Sequence, residues 1–212
     1  MMENTLVKIC GLTNLEDTLA AIDAGADFLG FNFYPQSPRY LSYEKAQKIF
    51  EEIPPNIPKV GVFVNEEYEN VVDLTQLLSL DYLQFHGDEN PEFCAQMAHP
   101  WWKAIRLQNE DDIQKIGSYD SEWVLIDAFV KGSYGGTGQK PDWDLCKRAK
   151  NLGKKIFLAG GLTPENVQLA IATVQPYAVD VASGVESKPG KKDLKKMEDF
   201  ISKAKHSHLR LV

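Results

Sequence analysis

Eight short apolar runs, most of them separated by an amphipathic stretch, organise this 212-residue chain and leave few folds open to it. The runs are Leu6–Cys10, Phe28–Phe33, Lys59–Val64, Tyr82–Phe85, Trp102–Arg106, Trp123–Asp127, Lys155–Ala159 and Ala178–Ala182. They are apolar nearly throughout, without strict alternation, which is the pattern of strands covered on both faces of a parallel sheet. Between most of them the apolar spacing is helical. In the first such stretch Leu15, Leu19, Ala20 and Ile22 share a face, and Gly25 stops the helix just beyond its last turn. Tyr43–Ile53, Tyr68–Leu78, Pro91–Met97, Asp142–Leu152, Glu165–Thr173 and Asp193–Lys205 follow the same rule. Asp111–Tyr119 carries a weaker pattern and is left between an irregular loop and a short helix. Successive strands start 20 to 32 residues apart, which suits a strand plus a crossover helix each time.

Eight βα units predict an α/β protein built as a single (β/α)8 TIM barrel over residues 1–212, smaller than the typical ~250 residues. The competing open, doubly wound sheet usually needs fewer strands, and no G-x-G-x-x-G opens a helix here. A chain of this length buries roughly 70% of its unfolded surface in one core. The only stiff stretch, Pro54-Pro55-Asn56-Ile57-Pro58, delivers the chain into the third strand and does not mark a linker.

A net charge of −7 and a pI near 5.2 argue against a nucleic-acid partner, which calls for basic stripes. No apolar run approaches the ~18 residues of a membrane span. The N-terminus lacks a charged-then-apolar signal pattern, so the expected compartment is the cytoplasm. Cys10, Cys94 and Cys146 form neither an even disulfide set nor a C-x-x-C metal pair, and are expected as free thiols.

In a (β/α)8 barrel the reactive groups gather at the C-terminal ends of the strands. Those ends carry Cys10-Gly11-Leu12, Tyr34–Arg39, Asn65, His86-Gly87-Asp88, Arg106, and Asp127 followed by Gly135-Gly136-Thr137-Gly138. The seventh and eighth carry Gly160-Gly161-Leu162-Thr163 and Ser183-Gly184-Val185-Glu186. Loops after strands seven and eight commonly cradle a phosphate on backbone N–H groups, and glycines there let the backbone come close. Each residue also has a plainer reading. A strand-end cysteine is often a small buried hydrophobe, a strand-end aspartate a loop cap, and glycines make turns whether or not an anion binds. Arg39 reads as a solvated loop arginine and His86 as a structural histidine bonded to its loop. Arg106 reads either as a source of positive potential or as a surface residue, and Lys188–Lys196 as the solvated start of the last helix.

Seven of these segments, in order, resemble phosphoribosylanthranilate isomerases of tryptophan biosynthesis: Lys8-Ile9-Cys10-Gly11, Ser37-Pro38-Arg39-Tyr40, Gly61–Asn65, His86-Gly87-Asp88-Glu89, Gly135-Gly136-Thr137-Gly138, Ala159-Gly160-Gly161-Leu162 and Ser183-Gly184-Val185-Glu186. The resemblance covers residue 6 to about residue 193. It implies a barrel enzyme that needs no metal or cofactor and performs an Amadori rearrangement of an N-(5-phosphoribosyl)anthranilate aminoaldose to the aminoketose. It implies Asp127 as the general acid that opens the furanose and Cys10 as the general base that removes the C2′ proton. It assigns Arg39 to the anthranilate carboxylate, which a guanidinium can grip at two points. Gly160, Gly161, Asp180, Ser183 and Gly184 become the phosphate candidates, with Asp180 acting only by orienting its neighbours, and His86 a candidate substrate contact. The implied partner is a small phosphorylated substrate, and the oligomeric state stays open between monomer and homodimer.

The segment departs from the family pattern at Ala182, where a serine hydroxyl is usual, and Phe129–Tyr134 lies in a loop that varies among relatives. Two other readings compete. One is a related histidine-pathway aminoaldose isomerase, which uses two aspartates and so is opposed by Cys10. The other is a barrel that binds a sugar phosphate without catalysis, opposed by Cys10, Asp127 and Arg39 together.

Overall fold

In the computed structural model, which describes residues 5–127 and 143–207, eight strands form a closed parallel barrel in sequence order. They are β1 (Leu6–Cys10), β2 (Phe28–Asn32), β3 (Lys59–Phe63), β4 (Tyr82–Phe85), β5 (Trp101–Arg106), β6 (Trp123–Asp127), β7 (Lys155–Ala159) and β8 (Ala178–Val181). The predicted strands are all present; β5 begins one residue earlier, and β2, β3 and β8 end one residue sooner. The helices are α1 (Leu15–Asp23), α2 (Tyr43–Phe50), α3 (Tyr68–Leu77), α4 (Pro91–Ala95), α5 (Glu110–Gly117), α6 (Trp143–Ala149), α7 (Val167–Val174) and α8 (Leu194–Lys205). After β8 a 3-10 turn at Ser183–Val185 leads into a small antiparallel ribbon, β9 (Glu186–Lys188) with β10 (Lys191–Lys192).

The weakest segment of the sequence is a helix. Asn109 accepts a hydrogen bond from the Asp112 N–H at 3.2 Å, and the Asp112 carboxylate accepts from the Asn109 N–H at 3.2 Å. This reciprocal cap satisfies N–H groups that the first turn would leave orphaned. Ile116, buried on its inner side, anchors α5 to the barrel.

Side chains alternate inward and outward along each strand. Val7 and Ile9 of β1 face the helices and join the outer core with Leu29, Phe31 and Leu158. The inward positions fall into two regions. Towards the N-terminal end of the barrel, Phe28, Val60, Trp102, Leu125, Phe157 and Ala178 form a dry plug. Trp102 and Phe157 stack with centroids 4.6 Å apart, and Phe28 meets Phe157 edge-on at 5.4 Å. Contacts of this kind add about 0.5–1.5 kcal/mol each beyond the area they bury. One or two inward steps above, the barrel presents Cys10, Gly30, His86, Arg106, Asp127 and Asp180, so the plug is the floor of the polar mouth. Among the described residues no helix is long and apolar enough to cross a membrane.

Candidate active site

Cys10 closes β1, and two residues earlier on the same inward face stands Lys8, fully buried. An ammonium in a barrel interior is costly unless it is paired. Lys8 is directly opposite Asp180 across the β1–β8 seam and donates to its Oδ1 at 2.8 Å. Opposite Cys10 on the other side lies Gly30 of β2. A Cβ built on Gly30 would lie 2.8 Å from Lys8 Nζ and 3.0 Å from Cys10 Sγ. Lys8 and the thiol therefore converge on space that only glycine leaves open. Burial pushes the Cys10 thiol above its ordinary value, while Lys8 and, more weakly, Lys192 pull it down. Lys8 itself stays cationic: burial opposes the charge, but Asp180 and Cys10 favour it more.

Asp127 closes β6, in register with Arg106 on one side and Ala159 on the other. Burial raises its carboxyl above the ordinary 3.8 against the pull of Arg106, and Asp180 adds to the rise. His86 follows β4 and keeps exposed surface at the mouth. Its imidazole is pushed down to about 4, first by desolvation and then by Lys8, Lys103 and Arg106, with Asp180 opposing. A recess of about 270 Å³ brings together His86, Asp127, Gly160, Gly161, Asp180, Ser183 and Gly184. Of the nine residues to which the resemblance gives a site role, all but Cys10 and Arg39 line this recess.

The floor of the recess on the β7–β8 side is bare backbone. Gly160 and Gly161 have φ of +90° and +63°, a conformation other residues rarely adopt. Asn166 braces the turn, accepting from the Thr163 N–H at 2.8 Å and donating to the Gly161 carbonyl at 2.9 Å. That use of Asn166 explains why α7 starts at Val167 and not at Glu165. A Cβ on Gly184 would run into the Leu162 carbonyl oxygen, so the two loops are packed backbone to backbone. Asp180, grouped with the phosphate candidates in the sequence, spends its carboxylate on Lys8.

Arg39 stands differently from its sequence expectation. Its Nε and Nη2 donate to Glu186 Oε1 and Oε2, both at 2.7 Å, so the two-point grip is already closed on this chain's own carboxylate. Glu186 lies below the ordinary carboxylate range because Arg39 and Lys192 outweigh the burial that would raise it. Lys192 Nζ is 3.2 Å from Glu186 Oε1 and donates to the Cys10 carbonyl at 2.6 Å. The side chain of Arg39 lies across Gly11, where a Cβ would collide with its Cδ. A continuous chain thus runs from Arg39 through Glu186 and Lys192 to the end of β1.

Lys8 and Gln84 are site residues to which the sequence gave no role, and Glu186 had none beyond its place in Ser183-Gly184-Val185-Glu186. The expectation that Lys188–Lys196 is the solvated start of the last helix is corrected: Lys188, Lys191 and Lys192 belong to the β9–β10 ribbon, α8 begins only at Leu194, and Lys192 is buried against Glu186. Period-two alternation was the available signal for Lys8 and Gln84, since each is two residues before a strand-end group on the same face. The basic run gave no sign that Lys192 turns inward to meet Glu186. Gly135-Gly136-Thr137-Gly138 and Phe129–Tyr134 lie outside the described residues. A further cavity of about 580 Å³ opens at the opposite end of the barrel, beside Thr5, Lys154, Lys155 and Tyr177. Its Lys154 is held by the Tyr119 and Ser121 carbonyls, far from the strand-end carboxylate and thiol.

Residues 7–203 match the family described as N-(5'-phosphoribosyl)anthranilate (PRA) isomerase. A protein of Trichlorobacter lovleyi named N-(5'-phosphoribosyl)anthranilate isomerase is 46% identical over 201 residues, 95% of this chain and 98% of that one. The crystal structure of phosphoribosyl anthranilate isomerase from Thermotoga maritima superposes with a TM-score of 0.89 at 44% identity, covering 95% of this chain and 98% of its own. A second solved isomerase, in complex with reduced 1-(o-carboxyphenylamino)-1-deoxyribulose 5-phosphate, gives a TM-score of 0.86 at 43% identity with the same coverage. Barrel, strand-end residues and a match over nearly the whole chain agree: the chain belongs to the N-(5'-phosphoribosyl)anthranilate isomerase family.

Proposed function

We propose that this chain converts N-(5-phosphoribosyl)anthranilate to 1-(2-carboxyphenylamino)-1-deoxyribulose 5-phosphate in tryptophan biosynthesis, with Asp127 as general acid and Cys10 as general base. The observation that carries the assignment is the shared mouth: Asp127 opens onto the recess, and Cys10 is joined to it through Lys8 and Asp180. Asp127 donates its proton to the furanose ring oxygen as the C1′–O bond breaks, leaving a Schiff-base cation that acidifies C2′–H. The Cys10 thiolate takes that proton, and the resulting enolamine tautomerises to the ketone. Backbone N–H groups of the Gly160-Gly161 turn and the Ser183-Gly184 turn receive the phosphate, as bare backbone suits an anion. Arg39 meets the anthranilate carboxylate through Nη1, the edge outside its pair with Glu186.

The two shifts set a pH signature. The productive form needs Asp127 protonated and Cys10 ionised, although the carboxyl has the lower pKa of the two. Between their pKa values each unit of pH loses protonated Asp127 tenfold and gains thiolate tenfold, so the product is constant. The expected kcat/KM profile is therefore flat between the raised pKa of Asp127 and the raised pKa of Cys10, falling on either side. A single sharp optimum near neutrality would contradict it.

The deciding experiment follows loss of phosphoribosylanthranilate fluorescence, with substrate generated in situ. Enzyme-dependent loss that disappears in Asp127→Ala is the expected result. No loss from folded protein would refute the assignment.

A further inference from the structure

We infer that Gln84 is a positioning residue that holds His86 as a neutral imidazole with its proton on Nε2, a fixed N–H donor for an oxygen of the open-chain sugar. The inference rests on the proposed isomerase reading for the identity of that sugar, but the state of the ring follows from three side chains alone. The argument starts at Trp102, because an indole nitrogen can only donate. Trp102 Nε1 donates to Gln84 Oε1 at 3.2 Å. That fixes which end of the amide is which. The remaining end, the Gln84 NH2, can only donate, and it lies 2.9 Å from His86 Nδ1. Nδ1 must then accept, so it carries no proton, and the neutral ring keeps its proton on Nε2. An imidazolium would set an N–H against the amide N–H2 and lose the bond.

The chain is locked from below. Gln84 and Trp102 are register partners on β4 and β5, and both are buried, at 1% and 0% exposed. Turning the amide over would break the bond from the Trp102 indole N–H, since an NH2 group cannot accept it. With Nδ1 directed down at Gln84, the opposite ring edge is directed at the mouth. There His86 borders two spaces at once, the recess with Asp127 and Asp180 and a wider polar groove with Arg106.

The charges facing the ring come from every side: Lys8 on β1, Lys103 and Arg106 on β5, Asp127 on β6 and Asp180 on β8. The cations oppose a proton on the ring and Asp180 favours one. The Gln84 NH2 opposes it as well, since it can donate only to an unprotonated Nδ1. The role inferred for His86 is accordingly a donor through Nε2–H. A donor of fixed direction suits the C2′ oxygen, which turns from hydroxyl to ketone as the proton leaves C2′.

The test is ring 15N NMR on the intact protein without substrate, with the His86 signals assigned by their loss in His86→Asn. Expected is the Nε2–H pattern with no titration between pH 8 and about 5. In Gln84→Glu a carboxylate still accepts from Trp102 but now also accepts from the ring, so the proton moves to Nδ1 and His86 titrates at or above the ordinary 6.5. Gln84→Met removes only the donor, and covers the case that the buried carboxylate fails to fold; a mixture of both tautomers is expected. An Nδ1–H pattern in the unaltered protein, titration near neutrality, or a ring indifferent to both substitutions would overturn the inference. In the assay, His86→Ala is expected to lower kcat by roughly 10²-fold, with part of it restored in His86→Asn, which keeps an N–H. Equal activity in both would overturn the donor role. Because the NMR needs no substrate, absence of isomerase activity in the unaltered protein would defeat the functional reading and leave the protonation state independently measured.

Discussion

The two halves of the barrel interior are built on the same eight strands and could hardly differ more. Towards the N-terminal end the inward positions are Phe28, Trp102, Leu125 and Phe157, a dry stack whose value is shape and area. One or two inward steps higher the same strands carry Lys8, Cys10, Asp127 and Asp180, whose value is charge and proton affinity. The lower half keeps water away from the feet of the upper half and prevents its side chains from relaxing. The upper half carries the reactive groups and contributes little net stability, since a buried ion pair such as Lys8–Asp180 is offset by its own desolvation. Stability and chemistry are thus layered along one axis, and substitutions should separate them.

The largest effect expected is on activity alone. Cys10→Ala and Asp127→Asn should each lower kcat about 10²–10⁴-fold, with thermal unfolding shifted by no more than a few degrees. Loss of folding together with activity would show that the two layers are not separable. The converse is Phe157→Ala, which opens a void beneath Trp102 and should cost about 3–5 kcal/mol in denaturant unfolding. The protein that remains folded should turn over near the normal rate, and a hundredfold drop in kcat would blur the boundary. Arg39→Ala sharpens the comparison within the mouth. Its expected signature is a rise in KM of roughly tenfold, the size of one charge-assisted hydrogen bond, with kcat little changed; an unaltered KM would remove the carboxylate assignment. Glu186→Gln should move KM in the same direction and less. Smallest is Asn109→Ala, at the edge of the polar groove that His86 borders, which removes the α5 cap and should cost about 1 kcal/mol with kcat little changed.

How far the sequence could be read follows from the range of each interaction. The strands were legible because a strand covered on both faces must be apolar along its length. Helix α5 was not, because Glu110, Asp111, Gln114 and Lys115 leave only Ile113 and Ile116 for its inner side; the Asn109…Asp112 cap was the overlooked sign. Strand-end residues such as Cys10 and Asp127 were legible because the barrel sends its reactive groups there. Their settings were not. Lys8 meets Asp180 across 172 positions of sequence and Arg39 meets Glu186 across 147, and only closure of the barrel brings either pair together. Arg39 illustrates the consequence, since its local loop suggested an open guanidinium fork that a distant ribbon has already filled.

The Lys8–Asp180 contact joins the first strand to the last. Nothing upstream of β8 can supply that carboxylate, so a chain emerging from the ribosome holds Lys8 without its counter-ion until nearly all of it has been made. An ammonium that has no partner resists burial, which keeps the barrel's opening strand wet through most of synthesis. Half-barrel fragments should for the same reason be inert singly, and regain activity only where a fragment bearing β1 reunites with one bearing β8. The seam that closes the fold is also the moment at which the thiol acquires its electrostatic surroundings.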